Sequence, residues 1–183
     1  MSNWKNTLLH YVGLGNYDRY VEGLIKKSIA VYHRGGKINR LRALRMYNKI
    51  RKNYGCCFPP RITVGKNLYI AHAHGIHVGK TAVIGDNCKI YPNVLIVASV
   101  VGDAQLRSKG AKRWHPKIGN DCLLGAGSII MGPIEIGDDV IVGAGAIVTK
   151  NVPPHSVVKN TNEITPKRAP VPAKDLDDSW EKP

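Results

Sequence analysis

Four of the seven histidines in this 183-residue chain, His72, His74, His77 and His115, lie where a short repeat in the sequence is interrupted. His72 lies in the stretch YIAHAHGIHVG, and His115 lies in the stretch RWHPKIG. Histidine exchanges protons near neutral pH and is also a common metal ligand. From the residue types alone, these two side chains are therefore candidates either for proton transfer or for metal binding.

The repeat around these histidines has a period of six residues. An aliphatic residue recurs at every sixth position in two stretches, and a second, mostly small residue follows it by four positions. The aliphatic positions are Val78, Ile84, Ile90, Ile96, Ile118, Leu124, Ile130, Ile136, Val142 and Val148. Each step predicts a short strand and a tight turn, and three steps close one triangular coil of a parallel β-helix.

The repeat changes phase near His72. Val64 and Ile70 lie on a six-residue grid that leads to Ile76, whereas the later grid begins at Val78. Two extra residues therefore enter between positions 72 and 77. A second interruption separates Ile96 from Ile118, and the polar segment 98–116 within it predicts a loop at one corner of the prism. Long loops on a rigid scaffold often carry function.

The segment 62–158 resembles the serine acetyltransferase branch of the hexapeptide-repeat acyltransferases. The matching pieces are, in order, NLYIAHAHGIHVGKTAVIGDN, HPKIG, GAGSIIMGPIEIGDDVIVGAGAIV and VPPHSVV. This resemblance implies a mainly β fold, a left-handed parallel β-helix, with a short helical N-terminal segment and an extended C-terminal tail. It also implies acetyl-CoA as the acyl donor, a sugar or small hydroxyl compound as the acceptor, and a homotrimer with active sites between its subunits.

The same resemblance suggests roles for individual residues. An acyl thioester is already activated, so the acceptor hydroxyl mainly needs a base to remove its proton. His72 matches the catalytic base of the family, and His115 matches a second histidine that helps to orient the acceptor. The residues expected to contact CoA are Ala126, Gly127, Ala144, Gly145, Lys150 and Lys159. No metal is expected.

Departures from the family pattern bear on the identity of the acceptor. Serine acetyltransferases carry an aspartate directly before the catalytic histidine, whereas this chain has Ala71. The N-terminal segment is also shorter than in the bacterial serine enzymes. We therefore expect a sugar O-acetyltransferase of capsule, exopolysaccharide or lipopolysaccharide synthesis, with the loop Arg107–Trp114 as part of the acceptor site. The alternatives are a serine O-acetyltransferase of cysteine biosynthesis, an amino-sugar N-acetyltransferase, a γ-type carbonic anhydrase-like enzyme with metal near His72 and His77, and a purely structural scaffold.

Composition divides the chain into three segments. Residues 1–61 are expected to form a basic helical segment, residues 62–158 the β-helix with its loop 98–116, and residues 159–183 a C-terminal tail. Helical spacing links Tyr20, Val21, Leu24 and Ile25 in a first helix. A second helix is predicted after Gly36 from the apolar residues Ile38, Leu41, Leu44, Tyr47 and Ile50.

The charge of the chain restricts its partners. The formal net charge is +14, and the stretch 37–52 carries seven cations without an acid. Such a run is either a solvated face or a surface for an anionic membrane or an acidic partner. If the stretch 37–52 binds a partner, peripheral contact with an anionic membrane is a candidate role for it, and no nucleic-acid module is visible.

The expected location is the cytoplasm, with the basic stretch favouring the inner face of the membrane. No apolar run is long enough to cross a bilayer, and no hydrophobic signal segment follows Met1. Cys88 and Cys122 occupy small inward positions of the repeat, so we expect them in the core rather than at a redox or metal site.

Overall fold

The computed structural model describes residues 17–99, 113–160 and 164–166. Two helices precede a left-handed parallel β-helix: α1 spans Tyr17–His33 and α2 spans Lys37–Tyr54. The strands of the described residues are β1 (Thr63–Val64), β2 (Tyr69–Ile70), β3 (His77–Val78), β4 (Val83–Ile84), β5 (Lys89–Ile90), β6 (Leu95–Val97), β7 (Lys117–Ile118), β8 (Leu123–Leu124), β9 (Ile129–Met131), β10 (Glu135–Ile136), β11 (Ile141–Val142), β12 (Ile147–Val148), β13 (Ser156–Val158) and β14 (Ile164–Pro166).

The strands form three sheets, and each sheet is one face of a triangular prism. The first face contains β1, β4, β7 and β10, the second contains β2, β5, β8, β11 and β13, and the third contains β3, β6, β9 and β12. Each strand pairs in parallel with the strand one coil further along, as Ile84 does with Ile118 and Ile118 with Ile136. Strand β14 adds to the second face in the antiparallel direction.

The six-residue period places one aliphatic side chain of each strand inside the prism. Ile70, Ile90 and Leu124 are aligned in successive coils, and each is 0% exposed. The small second positions are buried as well: Ala82, Cys88, Val94, Cys122, Ser128, Ile134, Val140 and Ala146. Burial of stacked aliphatic side chains is the main stabilising term of such a coil. The predicted β-helix is confirmed.

Three corners join the faces of the prism. Corner I joins the first face to the second and contains residues 65–68, 85–88, 119–122, 137–140 and 153–155. Corner II joins the second face to the third and contains residues 71–76, 91–94, 125–128, 143–146 and 159–160. Corner III joins the third face to the first and contains residues 79–82, 98–99, 113–116, 132–134 and 149–151. Residues 100–112 lie outside the described residues, as do most of the loop Arg107–Trp114 and most of the C-terminal tail.

Corner I has one residue per coil with a left-handed backbone. Asparagine and aspartate tolerate this conformation better than most side chains. The residues concerned, with φ between 53° and 57°, are Asn67, Asn87, Asp121, Asp139 and His155. Asn67 Nδ2 donates to Asn87 Oδ1 at 3.0 Å, and Asn87 Nδ2 donates to Asp121 Oδ1 at 2.9 Å. This ladder of side chains ties successive coils together at the corner.

The two helices cover the N-terminal end of the prism. Val21 and Ile25 of α1 are fully buried in one hydrophobic cluster with Phe58 and Leu68. Polar contacts complete the junction, since the His33 Nε2 atom lies 3.0 Å from the carbonyl oxygen of Ile62. The first coil, whose backbone edge has no preceding coil, is therefore covered rather than left open for other chains to pair with.

Helix α2 confirms the predicted helix, and its apolar residues are only partly buried. Ala43 and Ile50 are buried, whereas Ile38, Leu41 and Leu44 are 69%, 50% and 45% exposed. The helix ends at Gly55, which has φ 62° and donates its N–H to a carbonyl of the last turn. In the described part of the chain, no helix has the length and apolar character needed to cross a bilayer.

Candidate functional site

The first candidate histidine lies in a two-residue bulge at corner II. The Ala71 N–H donates to the Ile90 carbonyl at 2.9 Å, so the pairing of β2 with β5 is regular up to that point. The Asn93 N–H donates to the His74 carbonyl at 3.0 Å, so the pairing is regular again from there. The two extra residues that the sequence predicted are therefore residues 72 and 73.

The bulge determines how His72 is presented. His72 has φ 45° and is exposed, in a coil whose inward positions are completely buried. A left-handed backbone is uncommon for histidine, and both bulges and unusual backbone angles are concentrated near active sites. Because two residues are inserted here, the His72 side chain is directed to the surface of the prism, where a substrate can reach it.

A carboxylate from helix α1 lies next to this bulge. Glu22 Oε2 accepts the Ile70 N–H at 3.3 Å, and Glu22 Oε1 pairs with Lys26 Nζ at 2.5 Å. The Glu22 side chain is only 16% exposed. The sequence left open which group replaces the aspartate missing at Ala71. Glu22 was not identified from the sequence because no spacing rule predicts the docking of a helix on a distant strand.

His115 lies at corner III and is almost fully buried. Its Nδ1 atom is 2.7 Å from Oγ1 of Thr81 and 3.4 Å from the Thr81 backbone nitrogen. The Trp114 N–H donates to the same Thr81 hydroxyl at 3.3 Å. The imidazole ring covers Gly79, where a Cβ atom would overlap it.

The hydrogen bonds of His115 assign its tautomer. The Thr81 N–H is a donor only, so the Nδ1 atom that it faces acts as an acceptor. The Thr81 hydroxyl accepts the Trp114 N–H and directs its own hydrogen to Nδ1. A neutral imidazole that accepts at Nδ1 carries its hydrogen on Nε2. These contacts favour the tautomer of His115 that carries its hydrogen on Nε2.

Arg113 and Trp114, the two residues before His115, anchor the chain that returns from the corner III insertion to the coils on either side. Arg113 Nη1 donates to the carbonyls of His115 at 3.0 Å and Ile134 at 3.2 Å. Arg113 Nη2 pairs with Glu135 Oε1 at 2.9 Å. Lys80 Nζ lies 5.5 Å from the ring centroid of Trp114. These contacts hold the backbone of His115 against the coil.

The predicted CoA-contacting residues divide between two corners. Gly127 and Gly145 stack at corner II, both with φ 69° and with open space where a Cβ would lie. Ala126 and Ala144 are exposed beside them, and Lys159 follows one coil later on the same corner. Lys150, by contrast, follows β12 and lies at corner III. The open strip along corner II is a surface on which an extended molecule can contact backbone.

His72 and His115 occupy different corners of neighbouring coils. The chain passes from the His72 bulge through strand β3 to Gly79, which lies beneath His115. One face of the prism therefore separates the two histidines within a single chain.

Among residues 17–99, 113–160 and 164–166, no group of three or more His, Cys, Asp or Glu side chains is placed to hold a metal ion. A surface hollow of about 500 Å³ is bordered by Lys117, Glu135, Asn151 and Pro154, among others. Neither candidate histidine borders it, so this hollow is not where the histidines act.

Comparisons with known proteins identify relatives of the coil. Residues 115–150 match the family model for the bacterial transferase hexapeptide (six repeats). Serine acetyltransferase 1, chloroplastic, of Arabidopsis thaliana is 42% identical over 111 residues, which are 61% of this chain and 33% of that protein. The serine acetyltransferase of Staphylococcus epidermidis is 34% identical over 129 residues, 70% of this chain and 57% of that protein.

A solved structure gives the same relationship. Soybean serine acetyltransferase complexed with serine matches with a TM-score of 0.69 and 31% identity, over 83% of this chain and 59% of that chain. This chain therefore spans between one third and three fifths of the length of these three relatives. The prediction of a hexapeptide-repeat transferase is confirmed for the repeat segment.

The predicted acceptor, a sugar hydroxyl in surface-polysaccharide synthesis, is wrong. The relatives are serine acetyltransferases, which was the stated alternative. Ala71 and the short basic N-terminal segment are weaker evidence for the identity of the acceptor than the similarity of the coil is. A single missing carboxylate does not define an acceptor, since Glu22 of α1 brings another carboxylate to the neighbouring residue Ile70.

Proposed function

We propose that this chain is a serine O-acetyltransferase that uses acetyl-CoA, the reaction of cysteine biosynthesis. The observation that carries this proposal is the similarity of its coil to serine acetyltransferases, at 42% identity over 111 residues with the Arabidopsis protein. The accessible His72 at the coil bulge and the Nε2–H donor of His115 supply the two proton-handling groups that this chemistry uses.

In the proposed reaction, the serine hydroxyl oxygen attacks the thioester carbonyl carbon of acetyl-CoA. His72 accepts the hydroxyl proton as the new C–O bond forms. The C–S bond then breaks, and the CoA thiolate recovers the proton from His72 as it leaves. The Nε2–H of His115 donates a hydrogen bond to an oxygen of the reacting groups and holds it in place. The products are O-acetylserine and CoA.

We place acetyl-CoA along corner II. Successive coils rise by about 4.8 Å, so Lys159 lies roughly 19 Å along the prism from the level of His74. Between them the open positions at Gly127 and Gly145 leave room for the pantetheine arm against the backbone. Lys159 is the cation on this corner that we assign to the phosphates. Lys150, at corner III, reaches the same molecule only if two subunits share it.

The separation of the two histidines supports a trimer with shared active sites. In a cyclic trimer, corner II of one subunit faces a different corner of its neighbour. His72 of one subunit and His115 of the next then act on one acceptor, which a single chain does not bring together across its own face. Glu22, which accepts the Ile70 N–H beside the His72 bulge, is the carboxylate that we assign to the ammonium group of serine.

The function is tested by free-thiol release from acetyl-CoA with serine as the acceptor and by mass-spectrometric detection of O-acetylserine. Alanine, which has no hydroxyl, is the matched acceptor control. His72→Asn is expected to abolish serine-dependent release, whereas His74→Asn, an exposed histidine two residues away, retains it. Wild-type protein that releases no thiol with serine would exclude the proposed reaction.

The shared site is tested separately with mixed trimers. Subunits carrying His72→Asn and subunits carrying His115→Asn are co-expressed with different tags and purified through both tags. In a mixed trimer one of the three interfaces recovers both histidines, so roughly one third of the wild-type activity returns. Mixed trimers no more active than either parent would show that both histidines act within one subunit.

A further inference from the structure

The outer face of helix α2 is an apolar strip without a partner in the chain that the structure describes. At 100° per residue, Leu41 lies about 180° around the helix from Ile50, which is buried against the rest of the protein. Ile38 and Leu44 lie one turn to either side of Leu41. Three exposed aliphatic side chains in a row on one helix are more than scattered surface apolar residues require.

Cations surround this strip on every side. The exposed basic residues of α2 are Lys37, Arg40, Arg42, Arg45, Lys49, Arg51 and Lys52, and the helix contains no acid. Arg45 and Lys52 follow Leu41 on the same side of the helix, at i+4 and i+11. Long basic side chains lie with their stems along apolar surface and extend their charges beyond it. The strip and the cations together form one amphipathic surface, which we call the α2 face.

The charge of the α2 face determines which occupant fits. Two copies of the face packed on each other would bring seven cations against seven, in a chain whose net charge is already +14. An uncharged apolar groove would leave those cations without partners. An interfacial layer of lipid phosphates above hydrocarbon matches both parts, because phosphates neutralise the cations while the aliphatic side chains enter the apolar layer.

We propose that the α2 face docks this protein on an anionic lipid bilayer as a peripheral surface contact. Neither part of the face is sufficient alone, since a few aliphatic residues or a few cations give only weak attraction. Docking depends on the exposed face of α2 and not on the histidines, so it holds whichever acceptor the coil uses.

Binding is tested by co-sedimentation of the full chain with vesicles of phosphatidylcholine alone or mixed equally with phosphatidylglycerol. The apolar part is removed by Leu41→Ser with Leu44→Ser, and the basic part by Arg45→Ser with Lys49→Ser. Lys66→Ser with Lys89→Ser is the matched control, because it removes the same two charges from exposed positions on the coil. Light scattering on each variant records its assembly state.

We expect the wild type to bind only the anionic vesicles and both α2 variants to bind at least about tenfold more weakly. The coil control keeps the wild-type affinity. If Arg45→Ser with Lys49→Ser and the control Lys66→Ser with Lys89→Ser lost vesicle affinity equally, the proposal would be overturned, because net charge alone would then explain binding. Absence of binding to anionic vesicles would also overturn it. So would dissociation of the assembly by Leu41→Ser with Leu44→Ser, since a second copy would then cover the face.

Discussion

Gly79 leaves the space that the imidazole of His115 occupies. A Cβ atom at position 79 would overlap the Cδ2, Nε2 and Cγ atoms of the ring. The position of a proposed catalytic group is therefore set by the absence of a side chain on the previous coil.

Substitution of Gly79 by alanine is expected to displace the His115 ring and to separate it from Thr81. A misplacement of about 1 Å lowers catalysis by about a hundredfold, and overpacking costs about 1–3 kcal/mol of stability. Serine-dependent thiol release and denaturant unfolding measure the two effects. Gly23→Ala in α1, where a Cβ meets no atom within 4 Å, is the control and should leave both unchanged or slightly raise stability. An active Gly79→Ala protein would contradict the placement of His115.

Thr81→Val removes the hydroxyl that donates to His115 Nδ1 at 2.7 Å but keeps the shape of the side chain. Loss of about 1 kcal/mol of hydrogen bonding predicts a fivefold to tenfold fall in kcat. The imidazole nitrogen chemical shifts, measured by NMR, should change from one tautomer towards a mixture of two. Thr81→Ser keeps the hydroxyl and should restore both readouts. Unchanged nitrogen shifts in Thr81→Val would show that the backbone N–H of residue 81, 3.4 Å from Nδ1, sets the tautomer without the hydroxyl.

His72→Asn is expected to fold with the wild-type free energy of unfolding, to within about 0.5 kcal/mol, because asparagine tolerates the φ of 45° at this exposed position. His72→Ala should be less stable than His72→Asn by about 1 kcal/mol, because alanine has no side-chain group to support a left-handed backbone. Both variants should lose a factor of about 10²–10⁴ in acetyl transfer. Denaturant titrations beside rate measurements separate the two effects, and equal stabilities of the two variants would argue against a strained bulge.

Ser128→Ala should stabilise the protein by about 1 kcal/mol. The Ser128 hydroxyl is buried and has no hydrogen-bond partner within the described residues, and such a group costs about 1–3 kcal/mol. Alanine already fills the equivalent inward position at Ala146. Ser156→Ala is the matched control, since the Ser156 hydroxyl donates to the Pro154 carbonyl at 3.2 Å and its loss should destabilise. The midpoints of thermal or urea unfolding give the signs, and destabilisation by Ser128→Ala would reveal an unseen partner.

The Cys122 thiol should resist alkylation in the folded protein. Its hydrogen bond with Cys88, followed by burial, raises the pKa of Cys122, so the reactive thiolate forms only at a pH above the usual range. Iodoacetamide labelling at about pH 8, mapped by mass spectrometry, should modify Cys122 only after the protein is unfolded in denaturant. Rapid labelling of Cys122 in the native state would contradict its place in the coil core.

Some residues of the candidate site could be located from the sequence, and others could not. His72 and its two-residue insertion could be located because an insertion shifts a fixed six-residue period, and this shift is visible in the sequence. The contact of Thr81 with His115 could not be predicted from the sequence, because it depends on how the chain returns from a long insertion onto an earlier coil. The sequence predicts that Lys150 and Lys159 both contact CoA, whereas the structure places the two lysines on different corners.

The helical segment was also predictable only in part. The spacing of Ile38, Leu41 and Leu44 predicted a helix and indicated an apolar face, but burial of that face depends on what packs against it. Ala43 and Ile50 contact the rest of the protein instead. The acceptor was also misjudged from the sequence, because a missing carboxylate at Ala71 gave no information about Glu22.

The sequence by itself determined the β-helix, its inward residues, the position of the bulge and the two helices, because each depends on local spacing that only one backbone geometry satisfies. Tertiary structure decided which corner each histidine and lysine occupies, which side of α2 is exposed and where Glu22 lies. These depend on contacts between residues far apart in the chain, and such contacts follow from the packing of whole elements rather than from any period in the sequence.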